Sequence, residues 1–520
     1  MSDVVSLIRR SFPMVIPGVF LGSIIPASSP VAPLLVCAIG ASVIAVWPSR
    51  KGIAFALCCV AFSTGCLRSS VLESEWNRVR PIGVTGGVAT VVRNPEQDDG
   101  GKRAVLGFDT CDTESVCPDG LVLATFSIRS DISYGDTLEL SCPLEVPDEK
   151  WRMYYAKDGI AYRCRVSSWK KTGERNFVRR ALFGFSSAFE SALSRALTEP
   201  EAGLAAGLVI GGGRRLPDSL VSDFRAAGLS HIVAVSGYNI SIIAASFLLL
   251  GVACFLPRHR AAVFSLVATA AFVMVSGAPA SAMRAFGMSS VLVSAGWFGR
   301  RYASIRAIVM VATAMLLWNP LLLRHDIGFL LSFAATAGIA LTSPWIGRVM
   351  KRVSHGGFFV EAALLTFCAN LFVMPIIFAN FGSFSPLSFL ANTLLLPLVP
   401  YAMFLSILTG IAGMIMPSLG SLLAFPAYAT IRPIVLGAEW LADLSHGMMI
   451  ETKFGWIASV IWYMVLAILL RLSFLAMRYS GGYSEEGYSF RSFLLFMKSR
   501  VFSLSPRVLT VISKEVRSDS

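Results

Sequence analysis

The segment that most limits how this chain can fold runs from Gly228 to Ile243 and reads GLSHIVAVSGYNISII. It is apolar enough to lie in a membrane, yet it contains six polar residues: Ser230, His231, Ser236, Tyr238, Asn239 and Ser241. A polar group in hydrocarbon costs free energy unless another helix or an aqueous cavity satisfies it. The segment therefore predicts a helix that faces a conducting path, and hydrogen bonding between packed helices is the alternative.

Composition places most of the chain in lipid. Of the 520 residues, 55% are hydrophobic and only 15% are charged, whereas about a quarter of the residues of soluble domains are charged. Many apolar runs are long enough to cross a bilayer core of about 30 Å. The runs are Phe12–Trp47 (interrupted by prolines), Gly52–Cys66, Ile232–Leu256, Ala261–Gly277, Ala280–Phe298, Ala303–Trp318, Ile327–Leu341, Phe358–Phe381, Leu387–Met416, Leu419–Leu441 and Phe454–Leu470. The pattern predicts a polytopic α-helical membrane protein.

Clusters of basic residues between these runs orient the chain, because Lys and Arg are retained on the cytoplasmic side of a membrane. The clusters are Arg9-Arg10, Arg50-Lys51, Arg258 to Arg260, Arg300 to Arg306 and Arg348 to Arg352. Their spacing predicts that all of them, and the C-terminal tail, are cytoplasmic. The residues from about Leu67 to Glu201 then lie outside a cytoplasmic (inner) membrane. The net charge of +13 is partly this topology signal.

The region from about Pro81 to Arg175 has the pattern of a small soluble β domain. Turn clusters rich in Gly and Asp separate short β-rich runs, among them Val88–Val92, Leu121–Ile128 and Thr137–Leu140. About ninety residues of short strands suit a small barrel or a sandwich.

The end of this region combines cations with aromatic residues. Lys150 to Arg175 contains eight Lys and Arg against Asp158 and Glu174, interleaved with five aromatic residues. Cations for phosphates beside aromatic rings for stacking are typical of proteins that bind single-stranded nucleic acid. The predicted DNA-binding residues are Lys150, Trp151, Arg152, Tyr154, Tyr155, Arg163, Arg165 and Lys170. A surface strand whose aromatic side chains pack inward is the alternative.

Four of the ten cysteines lie in this region, namely Cys111, Cys117, Cys142 and Cys164. An oxidising compartment permits disulfides. We expect at least one, between Cys142 and Cys164, because that bridge would join two strand-like runs, and Cys111–Cys117 would close a short loop. Neither pairing has zinc spacing, so no metal site and no cofactor are predicted.

Several strings occur in an order that resembles the ComEC-type competence membrane proteins, which are channels for DNA uptake. They are Glu201–Gly213 (EAGLAAGLVIGGG), GLSHIVAVSGYNI, Gly277–Ala285 (GAPASAMRA), Asn319-Pro320, Asp326–Ala334 (DIGFLLSFA), Pro386–Pro397 (PLSFLANTLLLP) and Trp151–Ala161 (WRMYYAKDGIA). The resemblance implies import of one DNA strand across the inner membrane. It also implies that the extracytoplasmic domain is an OB-fold.

The sequence departs from that family in two ways. Asn239 stands where the family often has His, and the five histidines are scattered, so the HxHxDH metal cluster of many members is missing. Nor does any nucleotide-binding motif occur. We therefore expect a channel rather than an enzyme. Its expected partners are single-stranded DNA, membrane lipid, an outside DNA receptor, a separate nuclease and a cytoplasmic ATPase or single-strand-binding protein.

The polar residues within apolar runs are the candidates for the path. An arginine in such a run is costly unless it faces water, an acid or a passing phosphate, and pairing of Arg284 or Arg225 with Asp326 is the structural alternative. The predicted channel-lining residues are Arg225, Ser230, His231, Ser236, Asn239, Arg284, Asn370 and Asn392. For Asn370 and Asn392, near Pro375, Pro397 and Pro400, a packing kink is an equal alternative.

These predictions divide the chain into five parts. Residues 1–68 form about three transmembrane helices, 69–176 the extracytoplasmic domain, 177–227 an amphipathic segment that includes a re-entrant or interfacial piece, 228–478 the channel domain, and 479–520 a basic cytoplasmic tail.

Two other functions fit parts of the sequence. A transporter of another anion would explain the polar spans alone. An intramembrane serine hydrolase would use Ser236, in Ala234-Val235-Ser236-Gly237, with His325 or His446 as its base.

Overall fold

The structure is a computed structural model that describes residues 19, 20, 23 and 50–479, except 94, 99–100, 112–116, 128–129, 175–176, 212–215, 234–236, 298–302, 353–356, 446–447 and 453–454. The run Phe12–Trp47 therefore lies almost entirely outside the described residues. Ser236, His446 and the predicted tail beyond Tyr479 lie outside them as well.

The first part of the described chain is one long helix followed by a β domain, defined here as Ile82–Glu174. The helix α1 (Arg50–Arg78) continues well beyond the predicted run Gly52–Cys66. The other elements are β1 (Ile82–Val91), β2 (Glu96–Asp98), β3 (Gly101–Cys111), β4 (Leu121–Phe126), β5 (Asp136–Leu144), α2 (Glu149–Ala156), β6 (Ile160–Arg165) and β7 (Ser168–Glu174).

The strands of the β domain form one mixed sheet in the order β6-β4-β3-β1-β5-β7, with β2 paired to β3. The β4–β6 pair is parallel and the others are antiparallel. Strand β5 alternates buried and less buried residues, as expected where one face covers a core. Only Glu145 and Arg163 form a bridge between the end of β5 and β6. The described strands therefore do not form a continuous closed barrel, and the expected OB-fold is unconfirmed.

The rest of the described chain is the helical domain, defined here as residues 177–479. Its helices are α3 (Phe177–Ala196), α4 (Glu201–Val209), α5 (Asp218–Ala226), α6 (Ser230–Val233), α7 (Gly237–Ala253), α8 (Arg258–Val275), α9 (Ala280–Trp297), α10 (Ser304–Trp318), α11 (Leu321–His325), α12 (Ile327–Arg352), α13 (Gly357–Phe381), α14 (Leu387–Leu395), α15 (Val399–Ile415), α16 (Pro417–Ser445) and α17 (Trp456–Tyr479). Short strands β8 (Ser383–Phe384) and β9 (Ile450–Glu451) pair with each other.

Within the described part of the chain, four helical segments are long and apolar enough to cross a membrane: Ile327–Met350, Val360–Phe381, Leu387–Ile415 and Pro417–Ser445. Shorter apolar helices cover Asn239–Ala253, His259–Val275, Ser304–Trp318 and Ile457–Ser473. The prediction of a mainly helical protein with helices long and apolar enough to cross a membrane is confirmed.

The predicted run Leu387–Met416 is a broken helix. Helix α14 ends at Leu395, a 3-10 turn covers Leu396–Leu398, and α15 begins at Val399. Pro397 and Pro400 lie at this break, because proline removes a backbone donor and clashes with the preceding turn. In contrast, α13 continues through Pro375.

The core of the helical domain surrounds the short helix α4. Nearly all of its residues are buried, since the small side chains of its EAGLAAGLV sequence allow close approach on every side. Residues of α3, α5, α7, α15 and α16 complete the same apolar cluster. Of the piece predicted to be re-entrant or interfacial, Gly203–Gly213, the part up to Val209 is a helix buried within protein.

Candidate functional site

The GLSH segment and the GAPASAMRA segment meet at Gly237 and Arg284. Both residues are buried, and a Cβ atom at Gly237 would overlap the guanidinium of Arg284. Glycine at this position is what lets the arginine pack against the first turn of α7. The GLSH and GAPASAMRA segments, which both carry polar residues within apolar runs, therefore lie in direct contact.

Arg284 lies on α9 with only 8% of its surface exposed. Its Nε donates to Ser332 Oγ at 2.7 Å, and its guanidinium carbon lies 5.9 Å from the centre of the Phe333 ring. Both neighbours belong to the DIGFLLSFA segment at the start of α12. Arg284 thus joins three of the sequence strings through polar and cation–π contacts.

Asn239 and Gly228 connect the same segment to two more strings. The buried Asn239 donates through Nδ2 to the Leu208 carbonyl of α4 at 3.2 Å. Gly228 has φ 73°, and any side chain there would overlap Ser388 at the start of α14. These contacts bring the EAGLAAGLVIGGG and PLSFLANTLLLP strings against the GLSH segment.

Three buried polar residues lie in or just before α14, the helix that meets Gly228. Ser385, Ser388 and Asn392 are each more than nine-tenths buried. Asn392 Nδ2 donates to the Ser388 carbonyl at 2.8 Å. Within the described residues, Asn392 Oδ1 and the two serine hydroxyls have no hydrogen-bond partner.

The other predicted path residues occupy varied positions. Ser230 and His231 are exposed on α6, Arg225 is exposed on α5, and Asn370 is half-buried on α13. Ser236 falls between α6 and α7, outside the described residues. The structure therefore places Arg284 against Gly237 and, two residues further along α7, Asn239 against α4, whereas the side chains of Arg225 and Asn370 make no described contact with these residues.

An ion pair in the helical domain joins a buried glutamate to a partly exposed arginine, and the sequence does not predict it. Glu201 of α4 is 1% exposed, and its Oε1 lies 2.7 Å from Arg432 Nη1 of α16. Thr198 also donates to Glu201 through its hydroxyl. Glu201 begins the EAGLAAGLVIGGG string, so its place in a motif was the available signal, but its partner is 231 residues away.

The basic aromatic run of the β domain is not a single strand. Residues Lys150, Trp151, Arg152, Tyr154 and Tyr155 lie on α2, called here the aromatic helix, whereas Arg163 and Arg165 lie on β6 and Lys170 lies on β7. The aromatic helix forms because good helix formers and an acidic first turn precede a stop at Gly159, which has φ 78°.

Two aromatic side chains of this helix face outward. Trp151 is 47% and Tyr154 is 44% exposed, and their ring centres lie 5.8 Å apart. Lys150 Nζ lies 5.5 Å from the Trp151 ring. Tyr162 and Trp169, in contrast, pack in the core, where Trp169 contacts Phe126 edge to face. The inward-packing alternative is thus correct for these two residues and wrong for Trp151 and Tyr154.

The cations on the strands are exposed. Arg163 and Arg165 alternate with buried residues along β6. Lys170 stands opposite Glu139 in the antiparallel β5–β7 register. An acidic neighbour of this kind offsets part of the attraction that Lys170 would have for a phosphate.

Two disulfides stabilise the β domain. Cys142 on β5 and Cys164 on β6 are joined, with Cα atoms 6.0 Å apart. Cys111 and Cys117 are joined as well, with Cα atoms 5.6 Å apart. The first bridge links two strands that otherwise share only the Glu145–Arg163 bridge.

The β domain contacts the helical domain through Lys157, which follows the aromatic helix. Its Nζ lies 2.8 Å from Asp326 Oδ2, and its carbonyl accepts from Asn319 Nδ2 at 2.8 Å. Burial lowers the pKa of Lys157, but the hydrogen bond to Asp326 and the charges of Asp158 and Asp326 outweigh it, so the pKa is raised. Asp326 also accepts from the Phe329 amide of α12 at 2.9 Å.

Two further contacts reinforce this junction. Arg324 Nη1 lies 2.6 Å from Glu73 Oε1, and Arg68 Nη2 donates to the Trp318 carbonyl at 2.8 Å. The alternative that Asp326 pairs with Arg284 or Arg225 is wrong, because its carboxylate is bound to Lys157 and to the first turn of α12.

A comparison with known protein families shows which family contains this chain. The family model described as "Competence protein" matches residues 208–475, more than half of the chain.

The chain belongs to the competence protein family. ComE operon protein 3 of Bacillus subtilis (strain 168) is 25% identical to it over 297 residues, which is 56% of this chain and 37% of the relative. The chain thus aligns with little more than a third of that relative's length. No solved structure matches the chain.

The residues matched by the family model include Gly237, Arg284 and Ser388. They also include Asp326 and the helices α11 and α12 on either side of it. Among the described residues, no group of three or more His, Cys, Asp or Glu side chains is placed to hold a metal ion. The proposed serine nucleophile Ser236 and its possible base His446 lie outside the described residues, and His325 ends α11 beside the β domain junction.

Proposed function

We propose that this competence family protein is the channel through which single-stranded DNA crosses the cytoplasmic membrane during natural transformation. The observation that carries the proposal is the convergence of separate motif segments on Gly237 and Arg284, inside the region matched by the family model. Buried polar groups are costly in a membrane domain and are typical of substrate paths.

Arg284 is the best candidate for contact with DNA inside the helical domain. A guanidinium binds phosphate oxygens in a bidentate manner. Its Nε donates to the Ser332 hydroxyl, and its guanidinium lies beside the Phe333 ring. Ser230, His231, Ser236 and Asn239 would line the path beside it, with Asn392 on α14. Arg225 and Asn370 remain proposed lining residues with weaker support.

The proposed orientation has the β domain outside. Helices α10 and α12 have their junction ends, Trp318 and Asp326, against the β domain and α1. The basic residues Arg306 and Arg348 to Arg352 lie toward their other ends. Because cytoplasmic loops are rich in Lys and Arg, this arrangement supports a multi-pass inner-membrane protein with a cytoplasmic C-terminal tail.

We propose further that the β domain is an incompletely closed OB-like barrel that binds single-stranded DNA. Parallel pairing of β4 with β6 and the Glu145–Arg163 bridge support such a barrel. The exposed rings of Trp151 and Tyr154 offer stacking surfaces, and Lys150, Arg152, Tyr155, Arg163, Arg165 and Lys170 supply cations and a further ring nearby in sequence.

Other proteins must complete DNA uptake in this proposal. An outside receptor would deliver DNA, a separate nuclease would degrade the second strand, and a cytoplasmic ATPase or single-strand-binding protein would draw the strand inward. The competing hypothesis, a transporter of another anion, would use the same buried arginine but would have no need for the aromatic helix.

The test is deletion of the gene in its host, followed by measurement of labelled DNA at the cell surface and in the cytoplasm. We expect cytoplasmic DNA to disappear while surface-bound DNA remains. Unchanged delivery of DNA to the cytoplasm of the deletion strain would overturn the proposal.

A further inference from the structure

Lys157 connects three parts of the molecule. Its Nζ binds Asp326 of the helical domain at 2.8 Å and lies 4.6 Å from the centre of the Tyr154 ring. Its backbone carbonyl accepts from Asn319. Lys157, at the end of the aromatic helix, therefore contacts both the turn before α12 and one of the two exposed rings.

The ion pair is mostly shielded from water. The Lys157 side chain is 11% exposed and the Asp326 side chain is 13% exposed. A shielded pair loses little to screening by salt, and removal of one partner leaves an uncompensated charge. Asp158, the next residue in the sequence, competes for Lys157. It is more exposed than Asp326, and its carboxylate lies farther from Lys157 Nζ, at 3.7 Å.

Asp326 is itself fixed in orientation. Its second oxygen, Oδ1, accepts from the Phe329 amide at 2.9 Å, so the carboxylate caps the first turn of α12. Phe329 belongs to the same segment as Ser332, which binds Arg284. The start of α12 thus carries both the carboxylate that binds Lys157 and the hydroxyl that binds Arg284.

The pair lies outside the apolar cores of both domains. The core of the β domain consists of residues from its strands and the loops between them, together with Trp76 and Val79, and includes neither Lys157 nor the aromatic helix. The core of the helical domain does not include Asp326. Loss of the pair should therefore free the aromatic helix to move while both domains stay folded.

We propose that Lys157 and Asp326 form a latch that fixes the exposed rings of Trp151 and Tyr154 beside the turn between α11 and α12 of the helical domain. They are positioning residues, since they act on DNA through the aromatic helix. The requirement of the latch for DNA import rests on the proposed function, whereas its effect on domain position does not.

The experiment uses the full-length protein in lipid nanodiscs with spin-labelled noncanonical residues at Ser141 of β5, which is exposed, and Thr393 of α14, which is half-buried. The distance distribution between the labels is measured for the wild type and for Asp326→Ala, Lys157→Ala and Lys157→Arg. Asp218→Ala removes an exposed acid from α5 and serves as the control.

We expect a single narrow distribution for the wild type, Lys157→Arg and Asp218→Ala, and a clearly broader one for the two alanine variants that break the latch. In cells, these two variants should import DNA about tenfold less, as expected from the loss of one stacked base. Lys157→Ala also covers the case in which Asp326→Ala fails to fold through loss of its helix cap.

The possible results separate the two proposals. An unchanged narrow distribution in folded Lys157→Ala would overturn the latch, whatever the import rate. Broadening with full DNA import would overturn its role in import. Broadening of the variants, together with a wild type that imports no DNA, would support the latch and overturn the proposed function.

Discussion

Gly237 and Arg284 lie in direct contact, and the guanidinium occupies the space that a side chain at residue 237 would need. Gly237→Ala should therefore displace Arg284 from Ser332. Overpacking of this kind costs about 1–3 kcal/mol, too little to prevent membrane insertion. We expect normal protein levels with a strong loss of transformation, measured as transformants per cell.

The matched control for this variant is Gly347→Ala. Gly347 lies within α12, and a Cβ atom there would meet nothing within 4 Å. This variant should transform as the wild type does. Equal transformation by Gly237→Ala and Gly347→Ala would show that the position of Arg284 is unimportant.

Arg284→Ala should abolish DNA import while the protein remains in the membrane. Removal of the guanidinium breaks its bond to the Ser332 hydroxyl, which can bond instead to a carbonyl of the preceding turn of α12. Quantitative immunoblotting of membranes and transformation frequency measure the two effects. Asp326→Ala should not restore Arg284→Ala, because Asp326 pairs with Lys157; restoration would mean that the arginine is structural.

Trp151→Ala and Tyr154→Ala should weaken binding of single-stranded DNA by the purified full-length protein. Stacking on an aromatic ring contributes about 1–3 kcal/mol per base, so a fivefold or greater rise in Kd is expected, on the order of what that energy allows. Trp169→Ala should instead lower the thermal stability of the β domain, since its ring packs on Phe126. Binding that is insensitive to salt and to both exposed rings would contradict a DNA-binding role.

Loss of the Cys142–Cys164 bridge should destabilise the β domain. The bridge closes a loop between residues 22 apart in sequence, and a loop of that size corresponds to about 3 kcal/mol in the chain-entropy model. Cys142→Ala with Cys164→Ala should therefore increase proteolysis of the β domain, whereas Cys254→Ala, which removes an exposed free thiol, should not. Equal proteolysis of the two proteins would contradict this estimate.

The sequence predicted the elements better than their contacts. Apolar runs and short β-rich runs mark helices and strands because burial and period are local properties. The sequence does not predict the aromatic helix, since its aromatic residues favour strands; the stop at Gly159 is the local signal for its end. Pairs such as Glu201–Arg432 depend on packing between distant helices, and no local pattern encodes them.

The raised pKa of Lys157 predicts how the latch depends on pH. The pKa of Lys157 is above that of an ordinary lysine, because its bond to Asp326 and the nearby charges of Asp158 and Asp326 outweigh burial. Its contribution to stability is therefore complete below about pH 10, the ordinary lysine value, and is lost as the pH rises through the raised pKa. The distance distribution between Ser141 and Thr393 should stay narrow at neutral pH and broaden only in strong alkali. Broadening near neutral pH would contradict this assignment.

Photo-cross-linking of DNA in transit tests the channel most directly. A photoreactive residue replaces Ser230, which is exposed on α6 in the segment that leads to Gly237, or Phe425, which is exposed on α16. Labelled DNA with a bulky distal end is stalled during uptake and the cells are irradiated. We predict cross-links between the Ser230 position and a single DNA strand, and none from the Phe425 position. Uptake of DNA without cross-links at residue 230 would contradict a path through this domain.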